Sequence, residues 1–168
     1  MGRTEPPVCK ASCRRSSGSR TTSGKPESGV ARVGRIGRQH THRLRVRYGE
    51  CDPQGVVFNA HYFAYFDIAL TELWRGVAGG YAAMMDDGVD LQVVEATARY
   101  KAPARFDDEL DVAIEVTHLG TTSMVTDLHI RRDGELLVEG RLAHVFVDTE
   151  THTKTPIPEG LRTALGAE

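Results

Sequence analysis

Cysteine is scarce in this chain: three in 168 residues, Cys9, Cys13 and Cys51, with no Cys/His set at zinc spacing beside them. Neither a disulfide framework nor a structural metal centre is expected, and a reducing, cytoplasmic setting suits such usage. Long hydrophobic runs are also missing. No stretch approaches the ~18 apolar residues of a membrane-spanning helix, and the N-terminal region lacks the continuous apolar segment of a secretory signal. Aromatic residues are absent from residues 1–40, which carry nine Lys/Arg against Glu5 and Glu27, a net charge of +7. Basic but without rings on which bases stack, this segment does not read as a nucleic-acid binder. Its Ser, Gly, Thr and Arg content buries too little apolar surface to offset the entropy of ordering, so residues 1–40 are expected to form a disordered basic tail. The composition overlaps that of organellar transit peptides, although no amphipathic helix is evident.

The remaining residues hold 12 basic and 21 acidic side chains, a net charge of −9. Residues 41–150 are expected to form one domain, followed by a C-terminal extension over 151–168. In "THRLRVRY", Leu44, Val46 and Tyr48 alternate with polar residues, which predicts a half-exposed strand over 41–48. From Asn59 the period changes. Phe63, Phe66, Leu70, Leu73 and Val77 recur at steps of three and four, with Tyr62, Tyr65 and Ala69 widening the stripe, as in an amphipathic helix. Asn59 is a suitable N-cap and Gly79-Gly80 a suitable stop.

Beyond the helix the period becomes two. Val94, Ala96, Ala98, Tyr100 and Ala102 are expected on one face of a strand, with Glu95, Thr97, Arg99 and Lys101 on the other. Leu110 to Val116, Met124 to Ile130 and the run after Asp133-Gly134, a hairpin signal, predict three further strands in an antiparallel meander. One strand, one long helix and then four strands define an α+β domain, with an antiparallel sheet packed over a central helix.

The stretches "YGECDPQGVVFNAHYFAYFDIAL" and "ATARYKAPARFDDEL" resemble the 4-hydroxybenzoyl-CoA thioesterase family of hotdog-fold acyl-CoA thioesterases over roughly residues 41–150. The resemblance implies a sheet wrapped around the helix, a homodimer or homotetramer, and hydrolysis of an acyl-CoA thioester without a metal or separate cofactor. By the same resemblance Asp52 matches the catalytic carboxylate, acting as nucleophile or general base, both of which a carboxylate can perform. The backbone N–H of Asn59 matches the donor that polarises the thioester carbonyl, although Tyr or His is commoner there. Read without the resemblance, Asp52-Pro53 with Gly55 is simply a turn, and Asn59 a helix cap.

The substrate-binding set expected around this pair comprises Gly55, Val57, His61, Tyr62, Arg99, Lys101, Thr122 and Ser123. Arg99 and Lys101 suit CoA phosphates, and Thr122 and Ser123 follow a turn glycine from which they could donate hydrogen bonds. Cys51 and His61 could be drawn as a nucleophilic pair, but adjacent residues of an extended segment point to opposite sides, so Cys51 and Asp52 do not share a site. Asp67 and Glu72 on the helix are second choices for the carboxylate. Two other functions remain open on sequence grounds: an acyl-CoA-sensing module without turnover, and a hotdog dehydratase, whose motif "DPQGVVFNAHY" does not match.

Overall fold

The computed structural model describes residues 38–166. Of the tail expected over 1–40, residues 1–37 lie outside the described residues; residues 38–40 are built into the sheet. Strand β1 spans Gln39–Arg45, and Arg38 donates its N–H to the Leu165 carbonyl at 2.9 Å. The elements then run α1 (His61–Ala78), α2 (Tyr81–Asp86), β2 (Val89–Tyr100), β3 (Glu109–Leu119), β4 (Ser123–Arg132), β5 (Glu135–Asp148) and α3 (Glu159–Ala164), with a 3-10 turn at Tyr48–Glu50.

The five strands form one sheet in the order β1-β3-β4-β5-β2, every pair antiparallel. The expected meander is β3-β4-β5. Its second hairpin turns at Asp133 and Gly134, whose φ angles of 50° and 85° are the paired positive values that let a two-residue turn follow the strand twist. Strands β3 and β4 alternate between buried and half-exposed residues over Leu110–Val116 and Ser123–Ile130. Their inner rows, such as Leu110, Val112 and Ile114 on β3 and Met124, Leu128 and Ile130 on β4, meet helix α1.

Helix α1 buries Tyr62, Tyr65, Phe66, Ala69, Leu70, Leu73 and Trp74. Each large apolar side chain so placed contributes on the order of 1.5–3 kcal/mol. The periodicity located the helix but centred its stripe a few tens of degrees off: Phe63 is partly exposed, and the row of Tyr62, Tyr65 and Ala69 belongs to the core. Two local expectations need correction. Tyr48 leaves the strand for the 3-10 turn and is exposed, because β1 ends at Arg45 and only Val46 follows it into the core. Val94 falls in a β-bulge, where the register with β5 shifts between Val93 and Glu95, so it does not join Ala96 and Ala98 on one face.

Ordered packing continues past residue 150. Lys154 bridges Val147, the Ile157 N–H reaches the Thr121 carbonyl at 2.9 Å, and the side chains of Ile157 and Leu165 are buried in the core.

Candidate active site

Between the 3-10 turn and α1 the chain doubles back as a short ribbon. Glu50 C=O accepts the Phe58 N–H at 3.0 Å, Cys51 bridges Val57, and Asp52 N–H donates to Val56 C=O at 2.9 Å. The tip is a turn from Asp52 to Gly55, closed by the Gly55 N–H on the Asp52 carbonyl at 2.9 Å. Gly55 takes φ +74°, which a side chain would strain. Asp52 Oδ1 accepts the Gln54 N–H at 2.8 Å, as aspartate does at the head of such turns. Asp52 Oδ2 has no hydrogen-bond partner among the described residues. One oxygen therefore fixes the carboxylate, and the other is left without a protein partner among the described residues.

Asn59 is not the helix cap. The Phe58 carbonyl accepts the His61 N–H at 2.9 Å, so Asn59 and Ala60 are the centre of a turn that leads into α1, and Ala60 occupies the cap position with helical backbone angles and no side-chain capping bond. The Asn59 N–H, one residue before the cap, has no protein acceptor among the described residues, and it lies beside the positive end of the helix. Its carbonyl is held from the other side by the Tyr100 hydroxyl, which donates at 3.1 Å.

Asp52 and Asn59 line the same cavity, about 450 Å³ in volume, together with Gln54, Val56, Val57, Phe58, Tyr62, Tyr100, Lys101, Ala102 and Pro103. Its wall is aromatic on one side, with the Tyr62 and Tyr100 rings 5.4 Å apart. Tyr62 is buried and accepts the Ala104 N–H at 3.0 Å; burial pushes its hydroxyl above the ordinary phenol range. Lys101 is the cavity's one Lys or Arg, and its ammonium pairs with Glu139 at 3.1 Å.

The other expected residues fall elsewhere in a single copy of the chain. Gly55 shapes the turn without lining the cavity, and His61 opens α1 with its ring edge-on to Phe58. Arg99 lies over a separate polar depression with Asp127, His129, Glu139 and Arg141, on the sheet face turned away from α1. Thr122 and Ser123 sit at the β3–β4 hairpin, where their carbonyls accept the Phe146 and Gly120 N–H groups at 2.8 Å. Arg132, nine residues along β4, is the end that reaches the Pro103 carbonyl beside the cavity, so the hairpin lies about 30 Å from it. Reasoning from sequence missed Gln54, Val56 and Phe58 on the ribbon, and Tyr100, Ala102 and Pro103 across from it, as cavity residues; for the last three there was a signal. The signal was the "YKAP" ending, where proline halts the strand and frees successive side chains from strict alternation. Among the described residues no cluster of three or more His, Cys, Asp or Glu could hold a metal ion, and no helix is long and apolar enough to cross a membrane.

A five-stranded antiparallel sheet folded over one long helix, with a carboxylate-bearing turn at the helix entrance, is the hotdog architecture of thioester hydrolases. The chain belongs to the Thioesterase-like superfamily, whose family model matches residues 46–165. It is 34% identical over 119 residues to the acyl-CoA thioester hydrolase YbgC of Escherichia coli, covering 70% of this chain and 89% of that one. It is 28% identical over 109 residues to the putative acyl-CoA thioesterase YneP of Bacillus subtilis, covering 64% and 79%. Among solved structures, a gentisyl-coenzyme A thioesterase superposes with a TM-score of 0.68 at 25% identity, covering 75% of this chain and 98% of that one.

Proposed function

We propose that the protein hydrolyses an acyl-CoA thioester to the free acid and CoA, with Asp52 as the reacting carboxylate and the Asn59 N–H as the donor to the carbonyl oxygen. The observation that carries this reading is that a carboxylate with one free oxygen and a free N–H at a helix entrance share one cavity. As nucleophile, Asp52 Oδ2 adds to the thioester carbon, the C–S bond breaks, and CoA leaves as the thiolate and takes a proton. Water then opens the resulting anhydride. As general base, Asp52 instead takes the proton of the water that attacks. In either route negative charge gathers on the carbonyl oxygen, where a donor already in place stabilises it without reorganisation.

Tyr62, Tyr100, Val57 and Phe58 would enclose the acyl group, and Lys101 would meet the polar CoA arm. The scheme needs no cofactor, CoA arriving as part of the substrate. The same reading has the protein in the cytoplasm, with which the unpaired Cys51 thiol is consistent. It also has the protein as a homodimer or homotetramer, which the edge position of β2 supports: Val93 and Val94 stand 57% and 62% exposed beside a strand rim that pairs with no other strand among the described residues.

The test is thiol release from short-chain, long-chain and aromatic acyl-CoA substrates by the native chain and by Asp52→Asn. The asparagine oxygen can still accept the Gln54 N–H, so the variant should melt near the native temperature while turnover falls by roughly 10² or more. Saturable binding with no thiol released by the native chain would instead make it a sensor.

A further inference from the structure

The ribbon that carries Asp52 has few supports. It is two strands wide, its tip from Pro53 to Gly55 is exposed, and a two-stranded ribbon on its own is marginal in water. On the Val57 side it is tied to the 102–104 segment, where Val57 is buried and its N–H reaches the Ala104 carbonyl at 2.9 Å. On the Asp52 side the tie to α1 is a side chain. Glu50 Oε2 accepts the Tyr65 hydroxyl at 2.7 Å and the Arg47 N–H at 2.8 Å. Tyr65 is buried on the core face of α1, its ring edge-on to Tyr62 at 5.9 Å. Desolvation and then the Glu50 carboxylate push the Tyr65 hydroxyl well above the usual phenol range, so it stays a donor at every pH at which the protein would be assayed.

Glu50 does not line the cavity, yet two of its groups act on the residues that do. Its carbonyl holds the N–H of Phe58, the residue before Asn59, and its own chain direction sets where Asp52 begins, two residues on. A shift at Glu50 therefore moves both halves of the site at once. A hydrophobic pair in place of Tyr65 and Glu50 would fill the same space but would leave the ribbon free to pivot on Val57, because dispersion contacts lack the direction of a hydrogen bond.

We propose that Glu50 is a positioning residue that, held by the Tyr65 hydroxyl, sets the angle of the 50–58 ribbon against α1 and so the spacing between the Asp52 carboxylate and the Asn59 N–H. The proposal rests on the hydrolase reading above. It is tested with the acyl-CoA that the native chain turns over fastest, by measuring kcat, KM and the melting temperature of Tyr65→Phe, Glu50→Ala, the double variant and Glu50→Gln. Tyr65→Phe and Glu50→Ala are expected to lower kcat about tenfold or more, with KM within about twofold, since misplacement of reacting groups costs rate before it costs binding. The double variant should be no slower than the worse single one, because both break one link. Glu50→Gln should restore most of the rate, its amide oxygen being able to accept both donors. Native kcat in Tyr65→Phe, additive losses in the double variant, or a Glu50→Gln as slow as Glu50→Ala would each overturn the link while leaving the hydrolase reading intact. A native chain inert on every acyl-CoA would overturn the hydrolase reading, and with it any catalytic role for the link.

Discussion

The tip of the Phe66 ring, on α1, lies close against Gly140, on β5, and a methyl group added to that glycine would overlap Phe66 Cζ. Both residues are fully enclosed, so the ring has nowhere to move without lifting α1 from the sheet. Gly140 has no unusual backbone angle; it is there for the close approach. Gly140→Ala should therefore destabilise by about 1–3 kcal/mol through overpacking, a loss of several degrees in Tm. A denaturant titration checks it, and an unchanged midpoint would mean that the helix has slack against the sheet. Gly140→Ala combined with Phe66→Leu should recover part of the loss, since the smaller side chain yields the space.

The Tyr62 hydroxyl supplies the acceptor for the buried Ala104 N–H at 3.0 Å. Tyr62→Phe keeps the ring and its packing on Tyr100 but strands that N–H, at a cost of about 1–3 kcal/mol. Because the Ala104 carbonyl also holds Val57, loosening the 102–104 segment should reach the cavity wall. The expected result is a lower Tm together with a KM raised for every acyl-CoA tested. A lower Tm with unaltered KM would show the wall to be independent of the bond.

Much of this architecture was legible because it depends on repeating local preferences. The two periods located α1 and the strands, and Asp133-Gly134 announced its hairpin. What sequence could not show was set by distant pairing. Placing β2 beside β5, at the sheet edge, depends on a register whose partners lie from 38 (Tyr100 and Val138) to 59 (Val89 and Asp148) residues apart, and the bulge at Val94 exists only against that partner. Ile157, Leu161 and Leu165 are the large apolar residues of a polar extension, too few to fix a period or a partner, yet Ile157 and Leu165 are core and Leu161 packs against it. In the site, "DPQG" was readable as a turn, and the structure adds which oxygen the turn uses. The Glu50–Tyr65 link spans fifteen residues and two element types, and no spacing rule connects them.

If the Asn59 backbone rather than its side chain faces the substrate oxygen, two substitutions at that position should behave very differently. Asn59→Ala keeps the N–H and loses no capping bond, since the side chain makes none, so kcat should stay near native. Proline is favoured at the second position of a turn such as Phe58–His61, and Phe58 is already outside the helix, so Asn59→Pro should fold. It lacks the N–H, and kcat should drop by roughly 10²–10³. Steady-state thiol release from both variants, alongside their melting curves, checks the contrast. Equal activity in the two would assign the oxygen to another donor.

His144, on the helix-facing side of β5 between Leu142 and Phe146, is buried with neither ring nitrogen hydrogen-bonded among the described residues, and burial brings its pKa down to about 4. The unfolded chain takes up this proton near pH 6.5, whereas the native state resists it until about pH 4. Between those values the unfolded state binds more protons, so stability is full above about pH 6.5 and declines as pH falls through the window, by on the order of 3 kcal/mol in all. The aspartates held low by their partners, Asp111 by Arg43 and Asp148 by the Thr151 N–H, add their own losses only below about pH 4. His144 therefore contributes a decline that starts near pH 6.5, above the range in which those two aspartates act. Unfolding free energies measured from about pH 6.5 down to about pH 4 should slope more steeply in the native chain than in His144→Leu, which has no proton to take up and strands no ring nitrogen. Parallel slopes in the two proteins would show that the His144 ring finds water or a partner when it is charged.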